Sequence, residues 1–254
     1  MSSLISQLDK RVKNPYLRRL MRISYDALGL FLIYTNPRSR RRFRRDADFP
    51  TSMGEGTTIP DSAYVSPRGV KIGRNCMISE GTIVLEKTVI EADVTIGPGS
   101  IVGSDGYSCK RVFSKIVPAF SAGGVLIRRG ARIASRTCID RGVDLSNTEI
   151  GEESFVGDMV HLGHNVRIGK RCYVGSNAMV AGYVVIEDRA RVEENASISN
   201  MIRIGERAHV HSGSVVTRDV KAGQSISGNF AIETSKHLRR LSIELSLASG
   251  EEGN

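Results

Sequence analysis

Branched aliphatic residues recur at every sixth position through most of the chain. From Ile150 the series runs Val156, Leu162, Ile168, Val174, Val180, Ile186, Val192, Ile198, Ile204, Val210 and Val216, with Ala222 continuing it and no polar member. The next position is often glycine, as at Gly151, Gly157, Gly163, Gly169, Gly175, Gly205 and Gly223. Four residues after each aliphatic comes a second small or branched side chain, from Ser154 and Val160 through Ala208 to Ile226. Upstream, Ile72, Ile78, Val84, Ile90, Ile96 and Val102 keep the phase, as do Ile127, Ile133 and Ile139. A period of six fits neither a helix, at 3.6, nor a lone alternating strand. It predicts a short strand and a corner that turns on glycine or another small residue, repeated, with parallel strands stacked about 4.8 Å apart on the sides of a prism.

This pattern resembles the hexapeptide-repeat family, whose fold is a left-handed parallel β-helix with three hexads to each coil. The resemblance alone supplies the handedness, since the usual crossover preference runs the other way. It implies an all-β core: 25 hexads, counting Leu145 and Ala222 as weak members, make about eight coils. Two interruptions stand out. Hexads stop between Val102 and Val125, so residues 103–124 leave the prism as a loop. Ile139 and Ile150 are separated by one position fewer than two full hexads, which shifts the register by one.

Three regions follow: a basic helical segment at 1–50, the β-helix at 51–230, and a short helix with its tail at 231–254. Helix is expected over residues 4–35, where Pro15 suits a helix start. Leu17, Leu20, Met21, Ser24, Leu28 and Phe31 form a largely apolar stripe opposite Arg18, Arg19 and Arg22. A second helix is expected over 235–248.

Composition sharpens the picture at one end of the chain. The first 50 residues hold 12 Lys/Arg against 4 Asp/Glu, so nearly all of the net charge of +9 resides there. Its peak, Arg38 to Arg45, suits phosphate, an anionic membrane surface or an acidic protein. One Phe among the arginines gives no stacking platform, which argues against nucleic acid. With 40% apolar residues the chain buries a core, and no apolar run approaches the roughly 20 residues of a membrane span. The amino terminus shows no secretory leader pattern. A cytoplasmic protein is expected, peripheral to the inner membrane if the basic segment meets anionic lipid. Cys76, Cys109, Cys138 and Cys172 are too far apart in sequence for a Cys-x-x-Cys pair and are read as reduced thiols; no metal ligands are expected.

With three hexads to a coil, residues separated by three hexads become neighbours. His164 then faces Gly182, where a backbone N–H can approach a ligand without a side chain in the way. An imidazole beside such an amide suits acyl transfer: the base takes a proton from the nucleophile and the amide stabilises the oxyanion. The blocks Ser104-Asp105-Gly106-Tyr107, Lys115-Ile116-Val117-Pro118, Thr137-Cys138-Ile139-Asp140-Arg141-Gly142 and Leu162-Gly163-His164-Asn165-Val166-Arg167-Ile168-Gly169 resemble the UDP-3-O-acylglucosamine N-acyltransferase family of lipid A biosynthesis. That resemblance covers about residues 72–228. It implies His164 as general base and Gly182 as oxyanion donor, with Asn165, Asp158, His161, Asp105, Tyr107, Asp140 and Arg141 on the substrate side. It further implies a homotrimer with active sites between prisms. No cofactor is held tightly; the acyl donor is a phosphopantetheine thioester, on acyl carrier protein or coenzyme A, and the acceptor is the amine of a nucleotide-linked amino sugar.

The chain departs from that family in three places. The basic segment replaces the uridine-gripping amino-terminal domain, Gly157-Asp158 stands where an Asp-Asn pair is usual, and a second acceptor-site histidine falls near Met201. The basic segment favours an acidic carrier protein as donor. An acetyl-CoA-dependent sugar N- or O-acetyltransferase is the alternative, since the stretch Gly213–Val220 and the Ser227–Ala231 block are similar to the ending of many such enzymes. A hydratase like the γ-class carbonic anhydrases, with zinc on three histidines from two subunits, fits less well. Its close pair is His-x4-His, whereas this chain offers His161-x2-His164 and His209-x-His211. A non-catalytic trimeric rod is the remaining class.

Overall fold

The computed structural model describes residues 49–249 apart from 107, 113–114 and 119–120. The expected helix over 4–35, the arginine run 38–45 and Tyr107 lie outside the described residues. The described residues belong to one compact unit. It is a left-handed parallel β-helix whose strands stack into three sheets of eight, nine and eight strands.

Each hexad supplies one two- or three-residue strand, and consecutive hexads step from sheet to sheet. Thr148–Ile150 lies on face I, Phe155–Val156 on face II and His161–Leu162 on face III, before Arg167–Ile168 returns to face I. Strands one coil apart pair in register at an offset of three hexads, as in His161 with Met179 and Leu162 with Val180. The hexad aliphatics point inward and are fully or almost fully buried from Ile72 to Val216, and the small side chains four residues later are buried with them. A narrow prism leaves room at its axis for branched aliphatics on the sides and small groups at the corners.

The turning residue is not the hexad glycine. Left-handed backbone falls two residues after it, at Glu153, Met159, Asn165, Arg171, Asn177, Tyr183, Arg189, Asn195, Met201 and Arg207, all with φ between 54° and 62°. The strain, roughly 1–2 kcal/mol per residue, is offset by a hydrogen bond from the turning N–H, such as Tyr183 N–H to His164 O at 2.9 Å or Asn165 N–H to Thr148 Oγ1 at 2.8 Å. Glycine is needed two residues earlier for a different reason. A Cβ on Gly151 would lie 2.1 Å from Gly169 O, so adjacent coils could not close.

Two weak hexads are corrected. Leu145 is 66% exposed and lies outside the core. Ile139 pairs with Leu162, five positions beyond the regular offset of three hexads, so this coil carries a five-residue surplus and Ile139 and Ile150 belong to consecutive hexads. Polar Asp144, Ser146 and Asn147 cannot turn inward, and the surplus bulges out as a corner loop. Ala222 is also exposed. The last coil is shortened there, and Val220 bridges to Ile204 in its place.

The excursion after Val102 has structure of its own. The strand continues to Ser104, and Cys109–Val112 pairs antiparallel with Lys115–Pro118 as a hairpin. The final coil ends in helix α1, Thr234–Ser249. Among the described residues no helix is long and apolar enough to cross a membrane.

Candidate active site

His164 follows the face III strand His161–Leu162 and stands half-buried at the corner before face I. Its ring lies against Gly182 on the next coil: a Cβ there would be 2.6 Å from Cε1 and 2.7 Å from Nε2. Only glycine leaves room for the imidazole in this place. The Tyr183 ring meets it edge-on, with centroids 5.1 Å apart. On the other side Gly106, at the start of the excursion, approaches so closely that a Cβ would be 2.6 Å from His164 Cβ.

The corner loop made by the surplus residues fixes the state of this imidazole. His164 Nδ1 is 3.1 Å from Asn165 Oδ1. The Asn165 amide is 4% exposed and its orientation is determined by its partners. Oδ1 accepts from Val143 N–H at 3.1 Å, while Nδ2 donates to Asp144 Oδ1 at 2.7 Å and to Ser146 Oγ at 2.8 Å. Nδ1 therefore faces an acceptor and carries the proton, which leaves Nε2 with a free lone pair. Tyr183 Oη donates to the other Asp144 oxygen at 3.3 Å, tying the carboxylate to the next coil. Asp144, Ser146 and Tyr183 are absent from the sequence reading. The register break that contains two of them was their one signal.

Two corner N–H groups elsewhere are capped from the next coil, Asp158 N by Ser176 Oγ at 3.1 Å and Lys170 N by Asp188 Oδ1 at 2.9 Å. Among the described residues the N–H groups of His164 and Gly182 meet no acceptor.

The other expected residues divide. His161 points outward from its strand and its Nε2 is 3.1 Å from Asp140 Oδ2; Asp140 is buried and also accepts from Ser104 Oγ at 2.8 Å. The Asp140 hydrogen bond raises the His161 pKa, and burial works against it. Cys138 adjoins this pair, with Sγ 3.3 Å from Ser104 Oγ. Burial pushes its thiol up, Ser104 works against that and Asp140 adds to it. A thiol held protonated in this way is a poor nucleophile. Arg141 is buried, donates from Nε to Gly103 O at 2.7 Å and reaches Asp105 Oδ1 at 3.3 Å, so it clamps the start of the excursion. Asp105 is itself largely exposed. Asp158 stands one corner away from His164, between faces II and III, where Oδ1 accepts from Ser135 N–H at 2.8 Å. The fold thus brings His164, Gly182 and Asn165 together, groups His161 with Asp140, and sets Asp158 apart.

Comparison with known proteins places the repeat. The description "bacterial transferase hexapeptide (six repeats)" matches residues 69–104 and 147–182, and "hexapeptide repeat of succinyl-transferase" matches 50–86 and 165–200. UDP-3-O-acylglucosamine N-acyltransferase of Anaeromyxobacter dehalogenans is 27% identical over 122 residues, covering 45% of this chain and 33% of the relative. The enzyme of the same name from Sinorhizobium fredii is 37% identical over 98 residues, covering 37% and 26%. The chain therefore spans about a third or less of the length of these curated relatives. Among solved structures, UDP-N-acetylglucosamine acyltransferase from Campylobacter jejuni superposes with a TM-score of 0.64 at 26% identity, over 72% of this chain and 69% of that one. By its repeat, its fold and its matched segments, the chain carries hexapeptide repeats like those of the bacterial transferases and is similar over part of its length to the UDP-3-O-acylglucosamine N-acyltransferases.

Proposed function

We propose that the chain is an acyltransferase that moves an acyl group from a thioester to the amine of a nucleotide-linked amino sugar. The observation that carries this reading is the His164 ring set against Gly182 with Nδ1 held by Asn165. In the proposed reaction the amine nitrogen attacks the thioester carbonyl carbon, and Nε2 of His164 takes the proton that the nitrogen sheds. The uncapped amide of Gly182 donates to the oxyanion of the tetrahedral intermediate. The C–S bond then breaks, the sulfur leaves with the proton from the imidazolium, and an amide remains. Base catalysis of this kind contributes about 10²–10⁴-fold and one oxyanion donor about 10²–10³-fold.

The site is proposed to lie between copies of the chain in a homotrimer. The outward row of face III consists of Tyr64, Ile83, Ile101, Cys138, His161, Met179, Ser197 and Val215, without one Lys, Arg, Asp or Glu. Faces I and II carry Lys71, Glu149, Arg167 and Arg203, or Arg132 and Arg191, in the same rows. An uncharged strip beside His164 suits burial against a second prism. A cavity of about 690 Å³ formed by the single chain lies on face I, around Arg128, Glu149 and Glu187, and includes none of the candidate site residues.

The donor is proposed to be an acyl carrier protein, docked by Arg38–Arg45. A screen pairing carrier-bound and coenzyme A thioesters of several chain lengths with nucleotide amino sugars tests the reading. Amide formation with a carrier-bound donor supports it. Transfer from acetyl-coenzyme A alone makes the chain an acetyltransferase, and no transfer from any donor overturns the enzymatic reading.

A further inference from the structure

Cys138, Asp140 and His161, to which the proposed transfer steps assign no part, converge for a structural reason. Cys138 and His161 are direct partners on adjacent coils of face III. The register against the preceding strand slips between Ile139 and Asp140, which sets Asp140 opposite Ser104 and beside the Cys138–His161 rung. The three donor atoms, one sulfur, one carboxylate oxygen and one imidazole nitrogen, all lie within 4.8 Å of one another.

We infer that this cluster is a binding site for a single divalent transition-metal ion of the zinc type. Zinc–donor bonds of about 2.0–2.3 Å in a tetrahedron require donors roughly 3.3–3.8 Å apart. Asp140 offers a different oxygen to each partner, Oδ2 at 3.1 Å from His161 Nε2 and Oδ1 at 3.9 Å from Cys138 Sγ, distances just below and just above that range. Sulfur and imidazole donors select zinc or cobalt over magnesium and calcium, which take oxygen alone. The Ser104 hydroxyl, which donates to Asp140 Oδ1 at 2.8 Å and lies 3.3 Å from Cys138 Sγ, orients two of the three donors, as an outer-shell partner does. The nearby Arg141 guanidinium is answered by Asp105 and Glu86, so it does not leave the site positively charged. Three protein donors leave a fourth position for water or a ligand oxygen.

A second cluster, Glu193 with His209 and His211, has similar spacing but the wrong surroundings. Its carboxylate already accepts from His209, from the Ser212 amide and hydroxyl, and from Arg191 at 3.2 Å. The Arg191 guanidinium paired with that carboxylate repels a cation.

The test is titration of the full-length, chelator-treated protein with Zn²⁺ against a chromophoric competitor, and with Co²⁺ followed by absorbance. One equivalent of either ion should bind, with cobalt giving a thiolate charge-transfer band in the near ultraviolet. Cys138→Ser should abolish the band. Cys138→Ser and His161→Gln should each weaken Zn²⁺ binding by more than about 10-fold, while His211→Gln leaves it unchanged. Thermal unfolding of each variant checks that the fold is kept, and Asp140→Asn offers a second ligand loss should either variant misfold. The absence of a saturable site, or one that survives Cys138→Ser with its affinity and spectrum intact, overturns the inference. None of these readouts requires acyl transfer.

Discussion

At the residue scale, the account depends on how one imidazole is held. Asn165 sits between His164 and the Asp144 carboxylate, so the charge that develops on His164 reaches Asp144 through an amide whose orientation is fixed. Asp144→Asn removes that charge and leaves the packing in place. It should lower kcat on the order of 10-fold with KM nearly unchanged, a smaller loss than for a carboxylate bonded directly to its histidine. Gly182→Ala places a methyl 2.6–3.0 Å from the ring, so His164 must swing away. Transfer should fall by about 10²–10³-fold while the melting temperature barely moves, because the clash is with the end of a movable side chain. A third residue titrates the fold. Burial would raise the Glu193 carboxyl, but hydrogen bonds from His209, Ser212 and Arg191 outweigh it and hold the pKa at about 2, below the usual 4.5. A depressed carboxyl stabilises the fold fully above its unfolded pKa and loses that contribution as pH falls through the folded value. Glu193→Gln should therefore cost on the order of 2 kcal/mol at pH 7. Denaturant melts should show the gap to wild type closing between about pH 4.5 and pH 2.

At the scale of the element, the unit is a strand and a corner. The aliphatic series from Ile150 to Val216 was legible because a residue either fits the axis of the prism or does not. The corner was misread for a physical reason. Glycine draws attention by its conformational freedom, yet here it answers to the closeness of the next coil, and Asn, Arg, Glu, Met and Tyr take the left-handed turn. Exposed Asn177, with φ of 59°, tests this. Asn177→Val puts a β-branched side chain into left-handed backbone and should destabilise by about 1–2 kcal/mol in a chemical melt, whereas Asn177→Gly stays within a few tenths. Leu145 shows the limit of periodicity. An aliphatic residue close to phase reads as a hexad, and only its polar neighbours Asp144, Ser146 and Asn147 mark the loop that supplies the support of the base.

At the scale of the whole molecule, the coil turns separations of three hexads into contacts, and so His164 and Gly182 could be paired from sequence while Asp144, in an irregular loop that breaks the count, could not. The same rule explains Asp158: a residue one hexad from the base is on another corner, however near in sequence. Face III ties the site to assembly. If its uncharged row is the trimer contact, Met179→Asp, at a position 49% exposed in the single chain, should convert a trimer to monomer in sedimentation and abolish transfer while the β-sheet circular dichroism persists. Central to all of this is the use of the His164 imidazole as a base against a thioester. The most direct measurement is the single-turnover rate of amide formation by the full chain and by His164→Ala, on the best donor and acceptor pair. The account predicts a fall of about 10²–10⁴-fold with acceptor binding kept; an unchanged rate in His164→Ala would contradict it.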